Sequence, residues 1–204
     1  MIAHGSGRTV TAARQCAVLV LAAGGSRRLG RPKQLVSTAG QVLAARAIRL
    51  ARTLEPRWIG VVLGAGAGRI TASLRGLADE IIVARDWREG MAASLQRGLR
   101  RVPADARYLL VMTVDQWQLD ATDLRRLLVA AGRSPAAAGY AGRVGVPALF
   151  PRSYLSRLRA LRGDQGARQL LTTGMVTVVP MSRAAADLDT PADLSRFRAG
   201  RLRA

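Results

Sequence analysis

One stretch near the start of the chain decides the fold: CAVLVLAAGGSRRLGRPK, which runs from Cys16 to Lys33. Its apolar first part, residues 16–23, predicts a strand that is buried on both faces. Residues 24–33 are rich in Gly and Arg and predict a loop, and residues 41–54 have the spacing of an amphipathic helix. The apolar run is too short to cross a bilayer, and because it leads directly into the loop we interpret it as a strand rather than as the core of a signal peptide.

The same alternation of strands and helices continues along the chain. The pattern predicts strands at 58–63, 81–84, 108–114, 136–140, 147–150 and 176–179, and helices at 70–77, 92–101, 122–131, 153–160, 167–171 and from 191 onward. Either Asp120 or Thr122 is suited to cap the helix that follows them. Apolar strands separated by helices are typical of an α/β fold with a doubly wound, mostly parallel sheet of the Rossmann-like type. We expect a flexible N-terminus at 1–15, a single domain at 16–198 and a basic tail at 199–204.

The charge balance is unusual, with 32 Lys and Arg residues against 13 Asp and Glu residues and a formal net charge of +19. Such a surface favours polyanions such as nucleotides, nucleic acid or anionic lipid. Much of the Arg excess is spread over the predicted helices, and aromatic residues make up only 4% of the chain, which favours a solvated surface over a dedicated nucleic-acid patch. We expect a cytoplasmic protein that does not bind membranes, with nucleic-acid binding kept as the weaker alternative.

The scarcity of Cys and His limits the possible chemistry. Cys16 is the single cysteine and His4 is the single histidine, so one chain can form neither an internal disulfide nor a CxxC metal site. A Ser-His-Asp triad is excluded because His4 lies in the expected flexible N-terminus. Catalysis is therefore left to carboxylates, Lys, Arg and a hard cation.

The loop at 21–33 has the composition of a phosphate-binding loop. Gly24 and Gly25 let the backbone approach a ligand closely, while Arg28 and Lys33 supply positive charge at the carboxyl end of the first strand. The loop lacks the GxxxxGK[ST] pattern of a Walker A motif and the GxGxxG pattern of a dinucleotide fold. The sequence thus predicts binding of phosphate groups by a loop of another type.

A second Gly-rich turn, GAGAG at 64–68, also follows a predicted strand and suggests a dinucleotide fold. Asp86 lies at about the separation at which such folds place an acidic residue. Arg69 nevertheless stands at the third glycine position of the pattern. The fingerprint is incomplete, and we do not expect a bound dinucleotide.

The stretch LAAGGSRRLGRPK at 21–33 resembles the LAAGxSxRxGxPK signature of the MobA-like nucleotidyltransferases. Further segments resemble the branch of that family that contains molybdenum cofactor cytidylyltransferase, and they occur in the expected order. These segments are WREGMAASLQRGL at 87–99, VDQ at 114–116, GDQGAR at 163–168 and DLDTPAD at 187–193.

The resemblance implies transfer of CMP from CTP to a phosphate of a molybdopterin-type cofactor, with Mg²⁺ as the metal and release of pyrophosphate. The Leu-Ala-Ala-Gly of the loop, in place of the Leu-Ala-Gly-Gly of guanylyl relatives, implies CTP rather than GTP. The resemblance also leaves open a molybdoenzyme or its chaperone as a protein partner.

The resemblance also implies the residues of the site. The implied catalytic residues are Arg28, Lys33 and Asp115, and the implied metal ligands are Asp115 and Asp189. The implied nucleotide-binding residues are Leu21, Ala22, Ala23, Gly24, Gly25, Ser26, Lys33, Gly90 and Ser94. Ordinary structural roles stay open at three of these positions: Asp115 as a turn or cap residue, Asp189 as a helix cap and Ser94 as a first-turn helix residue.

Two positions depart from the pattern of the family. The family usually has Pro where this chain has Trp117. Its Gly-x-x-Gly-His-Pro segment is GRVGVP at 142–147 here, with Val146 in place of the histidine. If that histidine contacts the acceptor in relatives, the resemblance supports the identity of the acceptor of this chain less strongly than the identity of its nucleotide.

Two other functions stay open. The sequence of nicotine-blue reductase resembles this family, so an NADPH-dependent reduction is an alternative reaction. A protein that binds a nucleotide, a cofactor or nucleic acid without turnover is another. The presence of both Lys33 and Asp115 argues against the second alternative.

Overall fold

The computed structural model of the chain describes residues 5–38 and 40–201. Within these residues the strands are β1 (Cys16–Ala22), β2 (Ser37–Thr38), β3 (Gln41–Val42), β4 (Trp58–Leu63), β5 (Glu80–Val83), β6 (Tyr108–Thr113), β7 (Ala136–Tyr140), β8 (Arg143–Pro151) and β9 (Thr177–Pro180). The α-helices are α1 (Gly5–Arg14), α2 (Leu43–Arg52), α3 (Ala67–Ser73), α4 (Met91–Leu99), α5 (Ala121–Val129), α6 (Leu155–Ala160), α7 (Gln169–Thr172) and α8 (Pro191–Arg201). None of the helices in this part of the chain has the length and apolarity needed to cross a membrane.

Seven of the strands form one sheet in the order β5-β4-β1-β6-β8-β7-β9. Strand β1 pairs in parallel with β4 on one side and with β6 on the other, and β4 pairs in parallel with β5. Strand β8 runs antiparallel to both of its neighbours, β6 and β7, while β7 pairs in parallel with the edge strand β9. This mostly parallel sheet confirms the predicted α/β class, because each parallel step requires a crossover connection.

Helices cover both faces of the sheet because the central strands are apolar along their whole length. Successive side chains of a strand point to opposite faces, so alternate residues of β1 enter two different cores. Val18 packs in one core with Ile48 of α2, and Leu19 packs in the other with Leu95 of α4. All four side chains are fully buried. The run of apolar residues in β1 therefore reflects burial on both faces, as the sequence predicts.

Several elements begin at residues other than those predicted, and for two of them strand pairing gives the reason. Helix α2 begins at Leu43 because the preceding residues belong to a small antiparallel hairpin, in which Ser37 of β2 pairs with Val42 of β3. Strand β8 begins before residue 147 because it continues to pair with β7 as far as Arg143, opposite Tyr140. In both cases pairing with a neighbouring strand extends the chain beyond what the local pattern indicates.

Asp120 is the residue that caps α5, rather than Thr122. Its carboxylate accepts a 3.0 Å hydrogen bond from the backbone N–H of Asp123. The Asp123 carboxylate accepts one of 3.2 Å from the backbone N–H of Asp120, which completes a capping box.

Both ends of the described chain are helical, where the sequence predicts a flexible N-terminus and a basic tail. Helix α1 lies within the segment expected to be flexible, and its Ala12 and Ala13 are buried in a core. Two small apolar residues among polar ones form no wide apolar stripe, so the sequence did not indicate this helix. Helix α8 continues into the expected basic tail and ends at Arg201. Residues 1–4, which include His4, and residues 202–204 lie outside the described residues.

Candidate active site

The loop that follows β1 is folded back on itself at the carboxyl edge of the sheet. Ser26 has a left-handed backbone conformation, with φ of 51°, which is uncommon for a residue other than glycine. Its hydroxyl oxygen accepts a 3.1 Å hydrogen bond from the backbone N–H of Lys33. Gly30, with φ of 72°, follows a short 3₁₀ turn that contains Arg27 and Arg28. The contact between Ser26 and Lys33 holds the loop closed.

Gln34 ties this loop to the end of β1, and it is a residue that the sequence analysis did not single out. Its side chain is buried, and its Nε2 donates hydrogen bonds to the carbonyl oxygens of Ala22 (2.7 Å) and Gly24 (2.9 Å). Its Oε1 is buried without a hydrogen-bond partner in the described part of the chain. The signal that could have found Gln34 is its place directly after Lys33, as a long polar side chain followed by apolar residues.

Lys33 lies between two carboxylates from distant parts of the chain. Its ammonium nitrogen is 2.7 Å from Asp115 Oδ2 and 2.7 Å from Asp189 Oδ1. Arg28 contacts the other oxygen of Asp189, with Nη2 and Oδ2 2.8 Å apart. Burial lowers the pKa of Lys33, but the two aspartates together raise it by more, so that its pKa lies above the usual value. Lys33 therefore stays protonated at neutral pH, and Asp115 meets a lysine rather than capping a helix.

Asp115 follows β6 closely, and the neighbouring Gln116 fixes the turn. Gln116 is buried, and its Nε2 donates hydrogen bonds to the carbonyl oxygens of Val146 (2.8 Å) and Ala184 (3.0 Å). The backbone carbonyl of Asp115 accepts a 3.1 Å hydrogen bond from the N–H of Leu188. These bonds join the end of β6 to the segment that precedes α8.

Asp189 does not cap α8. The cap is formed by Thr190 and Asp193, since the Asp193 carboxylate accepts hydrogen bonds from the backbone N–H groups of Asp189 and Thr190. Thr190 Oγ1 accepts one in return from the N–H of Asp193. The carboxylate of Asp189 is thereby left to contact Lys33 and Arg28.

A third carboxylate, Asp187, lies beside Lys33, Asp115 and Asp189, and the sequence motifs assign it no role of its own. Burial, together with the negative charges of Asp115 and Asp189, raises the pKa of Asp187 from 3.8 to about 6. Arg143 opposes this rise, with its Nη2 3.9 Å from Asp187 Oδ2. Near neutral pH Asp187 therefore adds a third negative charge beside Asp115 and Asp189, which Arg143 and Lys33 offset only in part.

Replacing Asp187 by Asn is expected to stabilise the metal-free chain at pH 7.5. The folded-state pKa lies above the unfolded one, so the carboxyl group favours folding below about pH 4, and this contribution is lost as pH rises through about 6. Since the side chain is 35% exposed, solvent screening reduces the gain to about 1 kcal/mol. Urea unfolding of wild type and of Asp187→Asn in EDTA, at pH 7.5 and at pH 4, measures this gain in the free energy of unfolding. An equal gain at both pH values would contradict an origin in ionisation.

The predicted site residues line two adjoining cavities at the carboxyl edge of the sheet. The larger cavity has a volume of about 410 Å³, and the smaller has a volume of about 280 Å³. Predicted residues that line the larger cavity are Leu21, Ala22, Ala23, Gly24, Lys33, Gly90, Ser94 and Asp115. Those that line the smaller cavity are Gly24, Gly25, Ser26, Arg28, Lys33 and Asp189. Because Gly24 and Lys33 line both cavities, the structure brings all of the predicted residues into one continuous region.

The turn before α4 brings two segments into direct contact. Gly90 has φ of 113°, and a Cβ at this position would lie 2.3 Å from the carbonyl oxygen of Gly163. The same carbonyl accepts a 3.0 Å hydrogen bond from the N–H of Ala92. Ser94, one turn further on, is 5% exposed, and its hydroxyl has no hydrogen-bond partner among the described residues. Ser94 therefore offers an unpaired hydroxyl at the wall of the larger cavity.

Trp87 packs against two glycines at the edge of the larger cavity. A Cβ at Gly25 would lie 3.2 Å from the Trp87 ring. A Cβ at Gly64 would lie 2.7 Å from Trp87 Cβ and 2.6 Å from the carbonyl oxygen of Ala23. Gly64 is therefore required for close packing between the loops after β1 and β4, which explains this glycine of the 64–68 turn without a dinucleotide.

Comparison with known proteins agrees with this arrangement. Residues 18–178 match the MobA-like NTP transferase domain. The chain belongs to this family. It is a MobA-like nucleotidyltransferase, and its mostly parallel sheet is the Rossmann-like fold of such proteins.

Three similar proteins illustrate the extent of the similarity. The chain is 27% identical over 198 residues to the purine catabolism protein PucB of Bacillus subtilis (strain 168), a match that covers 87% of this chain and 93% of PucB. The structure of Rv0371c from Mycobacterium tuberculosis H37Rv is 31% identical with a TM-score of 0.82, and the match covers 92% of this chain and 98% of Rv0371c. The homolog of Rv0371c from Mycobacterium sp. strain JC1 is 29% identical with a TM-score of 0.83, with coverages of 93% and 98%. Rv0371c has also been solved in complex with manganese, at a TM-score of 0.77, 28% identity and coverages of 91% and 98%.

The two departures from the MobA-like pattern have structural contacts in this chain. Trp117 packs edge to face against Phe197 of α8, with ring centroids 5.1 Å apart. Val146 lies in β8, where its carbonyl accepts the hydrogen bond from Gln116 and its side chain packs against the core on the α4 face. Trp117 thereby helps to hold α8 in place, and with it the neighbouring Asp189.

Proposed function

We propose that this MobA-like protein transfers CMP from CTP to a phosphate of a molybdopterin-type acceptor and releases pyrophosphate. One observation supports the nucleotidyl transfer most directly: Lys33, Asp115 and Asp189 meet at contacts of 2.7 Å beside the cavities lined by the Gly-rich loop. A triphosphate bound there meets fixed positive charge and metal-binding carboxylates at one place. The choice of CTP and of the acceptor rests on the resemblance of the loop and of the later segments.

The proposed nucleotide site follows the lining of the cavities. We assign the loop backbone of residues 21–26 to the triphosphate, with Arg28 and Lys33 pairing with its charge. Gly90 and Ser94, on the α4 side of the larger cavity, are assigned to the base. The unpaired Ser94 hydroxyl is available to hydrogen-bond the polar edge of a pyrimidine, which supports this assignment.

We assign the preference for CTP over GTP to Ala23. It stands where guanylyl relatives have the first glycine of Leu-Ala-Gly-Gly, and it lines the larger cavity at 6% exposure. Its methyl group takes space that a glycine would leave, which favours the smaller of the two bases.

The residues of the site fit a divalent cation. Asp115 Oδ2 and Asp189 Oδ1 converge on one cation position, which the Lys33 ammonium fills in this structure. Carboxylate oxygens are ligands that Mg²⁺ prefers, and Mg²⁺ commonly completes its shell with substrate phosphates and water. Within the described residues no group of three or more His, Cys, Asp or Glu side chains could hold a metal, and in the proposed site phosphate oxygens of the nucleotide join the two carboxylates as ligands. Bound Mg²⁺ would supply Lewis-acid polarisation of phosphate oxygens, and the manganese complex of Rv0371c supports a divalent ion.

The proposed reaction forms one bond and breaks one bond at the α-phosphorus of CTP. A terminal phosphate oxygen of the acceptor attacks in line, the bond to the oxygen that bridges the α- and β-phosphorus breaks, and pyrophosphate leaves with the electron pair. Negative charge develops on the α-phosphate and on the leaving group, and Lys33 and Arg28 are the side chains that can neutralise it. A general base is not needed, because most of the acceptor phosphate is already ionised at neutral pH.

The proposed identity of the acceptor is based on the GDQGAR and DLDTPAD segments. The first segment reaches the site through the contact between Gly163 and Gly90, and the second supplies Asp187 and Asp189. Asp164 of the first segment lines the larger cavity together with Lys33 and Asp115, and Asp189 of the second contacts Lys33, so both segments reach the region where an attacking phosphate must arrive. We propose a molybdoenzyme or its chaperone as the recipient of the product, in the cytoplasm.

Pyrophosphate release tests this proposal. The purified protein, with Mg²⁺, is given CTP, GTP or ATP in turn, each with and without molybdenum cofactor. We expect release from CTP that requires the cofactor. Release from GTP or ATP alone would contradict the choice of nucleotide, and CTP binding without release would contradict the acceptor. NADPH oxidation without any pyrophosphate release would favour a reductase instead.

A further inference from the structure

The contacts of Lys33 suggest a second task for this side chain. Its ammonium group lies at 2.7 Å from one oxygen of Asp115 and at 2.7 Å from one oxygen of Asp189. These are the two oxygens that the proposed function gives to a divalent metal. A metal ion and the ammonium group cannot hold the same two oxygens at once, because each needs direct contact and the two cations repel each other.

We propose that Lys33 is a resident counter-cation that excludes a divalent metal from Asp115 and Asp189 until a triphosphate draws its ammonium group away. Metal and nucleotide then bind cooperatively, and the nucleotide-free chain has little affinity for the metal. The inference rests on the proposed function for the identity of the metal ligands and of the nucleotide.

The surroundings of the three side chains support this exclusion. The side chains of Lys33 and Asp115 are only 15% and 16% exposed, so water screens their charges poorly. The backbone N–H of Lys33 is bonded to Ser26 Oγ, which fixes the root of the side chain beside the carboxylates. The long aliphatic stem beyond that point is free to redirect the ammonium group once phosphate oxygens offer stronger partners.

Arg28 provides a matched comparison, because it also pairs with one of the carboxylates. It contacts only Asp189, at 2.8 Å, and its side chain is 74% exposed. It therefore contributes a similar positive charge without occupying the position between the two aspartates. A general effect of charge and a specific effect of position can be told apart by comparing the two cations.

Binding of Mn²⁺ to the nucleotide-free protein tests the proposal. The electron paramagnetic resonance signal of free Mn²⁺ measures how much of the ion remains unbound. We expect wild type to bind weakly and Lys33→Met to bind at least about tenfold tighter, because the variant frees two partly buried carboxylates. Lys33→Arg keeps the charge and should bind as weakly as wild type. Adding Asp115→Asn to Lys33→Met should remove the gain.

Arg28→Met is the control for charge alone, and we expect it to change Mn²⁺ affinity by no more than about threefold. Equal tightening by Arg28→Met and Lys33→Met, or no tightening by Lys33→Met, would overturn the proposal. Thermal unfolding with and without Mn²⁺ shows whether each variant is folded. Lys33→Gln provides the same comparison if the methionine variant is unstable.

A second experiment repeats the Mn²⁺ titration of wild type and of Lys33→Met in the presence of the non-hydrolysable analogue α,β-methylene CTP. A mixture of Mn²⁺ and the analogue without protein corrects for Mn²⁺ that the analogue itself binds. The proposal expects the analogue to tighten Mn²⁺ binding to wild type much more than to Lys33→Met, since only wild type has an ammonium group to move. Equal tightening in both would overturn it. If the analogue does not bind at all but Lys33→Met still gains Mn²⁺ affinity, the exclusion by Lys33 stands and the proposed nucleotide is wrong.

Discussion

Replacing Asp115 by Asn is expected to lower the rate of pyrophosphate release at saturating CTP by at least about a thousandfold. The amide keeps the size of the side chain but loses the charge that pairs with Lys33 at 2.7 Å and that the proposed metal requires. CTP binding should weaken less, because the loop backbone supplies much of the proposed contact with the nucleotide. Single-turnover pyrophosphate release, measured beside equilibrium binding of CTP, separates the two effects.

Asp105→Asn is the matched control for this experiment. Asp105 pairs with Arg57 at an exposed position and lines neither of the two cavities at the site. Its loss should leave the rate within about twofold of wild type, as expected for an exposed ion pair. Similar losses in both variants would point to a general effect on folding. A fully active Asp115→Asn variant would contradict the proposed catalytic site.

Replacing Gly90 by Ala is expected to lower the free energy of unfolding by about 3 kcal/mol or more. The backbone has φ of 113°, which side-chain-bearing residues rarely adopt, and the new Cβ would lie 2.3 Å from the Gly163 carbonyl oxygen. The obstacle is backbone rather than the end of a flexible side chain, so the neighbouring loop has to move. CTP affinity should fall as well, because Gly90 lines the larger cavity with Ser94. Urea denaturation and CTP binding measure the two effects.

Gly68→Ala is the control for a Gly to Ala change as such. Gly68 lies exposed in α3, and a Cβ there would have no atom within 4 Å. Because alanine favours the helix over glycine, this variant should gain up to about 1 kcal/mol. A Gly90→Ala variant as stable as wild type would show that the 163–168 loop does not pack on α4 as described.

The order of the strands and helices could be predicted because the central strands are apolar on both faces. Strand β4, for example, has the bounds that its apolar run predicts, Trp58–Leu63. The place of β8 in the sheet could not be predicted. It enters antiparallel between β6 and β7, and nothing in the local pattern of residues 143–151 states which strands will be its neighbours. Long-range pairing decides that placement.

In the site, too, residues in local motifs could be predicted, whereas residues whose roles depend on the packing of distant segments could not. Lys33, Asp115 and Asp189 could be named because they stand in motifs, and the sheet brings them together. Gln34 and Asp187 could not be given roles, since the first depends on burial against the loop and the second on the two charges beside it. These properties exist only once distant segments have packed. The chemical roles of the named residues remain predictions.

The position of α8 has a consequence for the order in which the site is completed during protein synthesis. Lys33 and Asp115 leave the ribosome well before Asp189, which is held beside α8 and its contact between Phe197 and Trp117. Since chains emerge from the N-terminus onward, a nascent chain can already form the phosphate loop while its second carboxylate is still missing. The segment just before α8 supplies that carboxylate, so the newly made protein cannot bring Lys33, Asp115 and Asp189 together until residue 189 and the helix that follows it have been made.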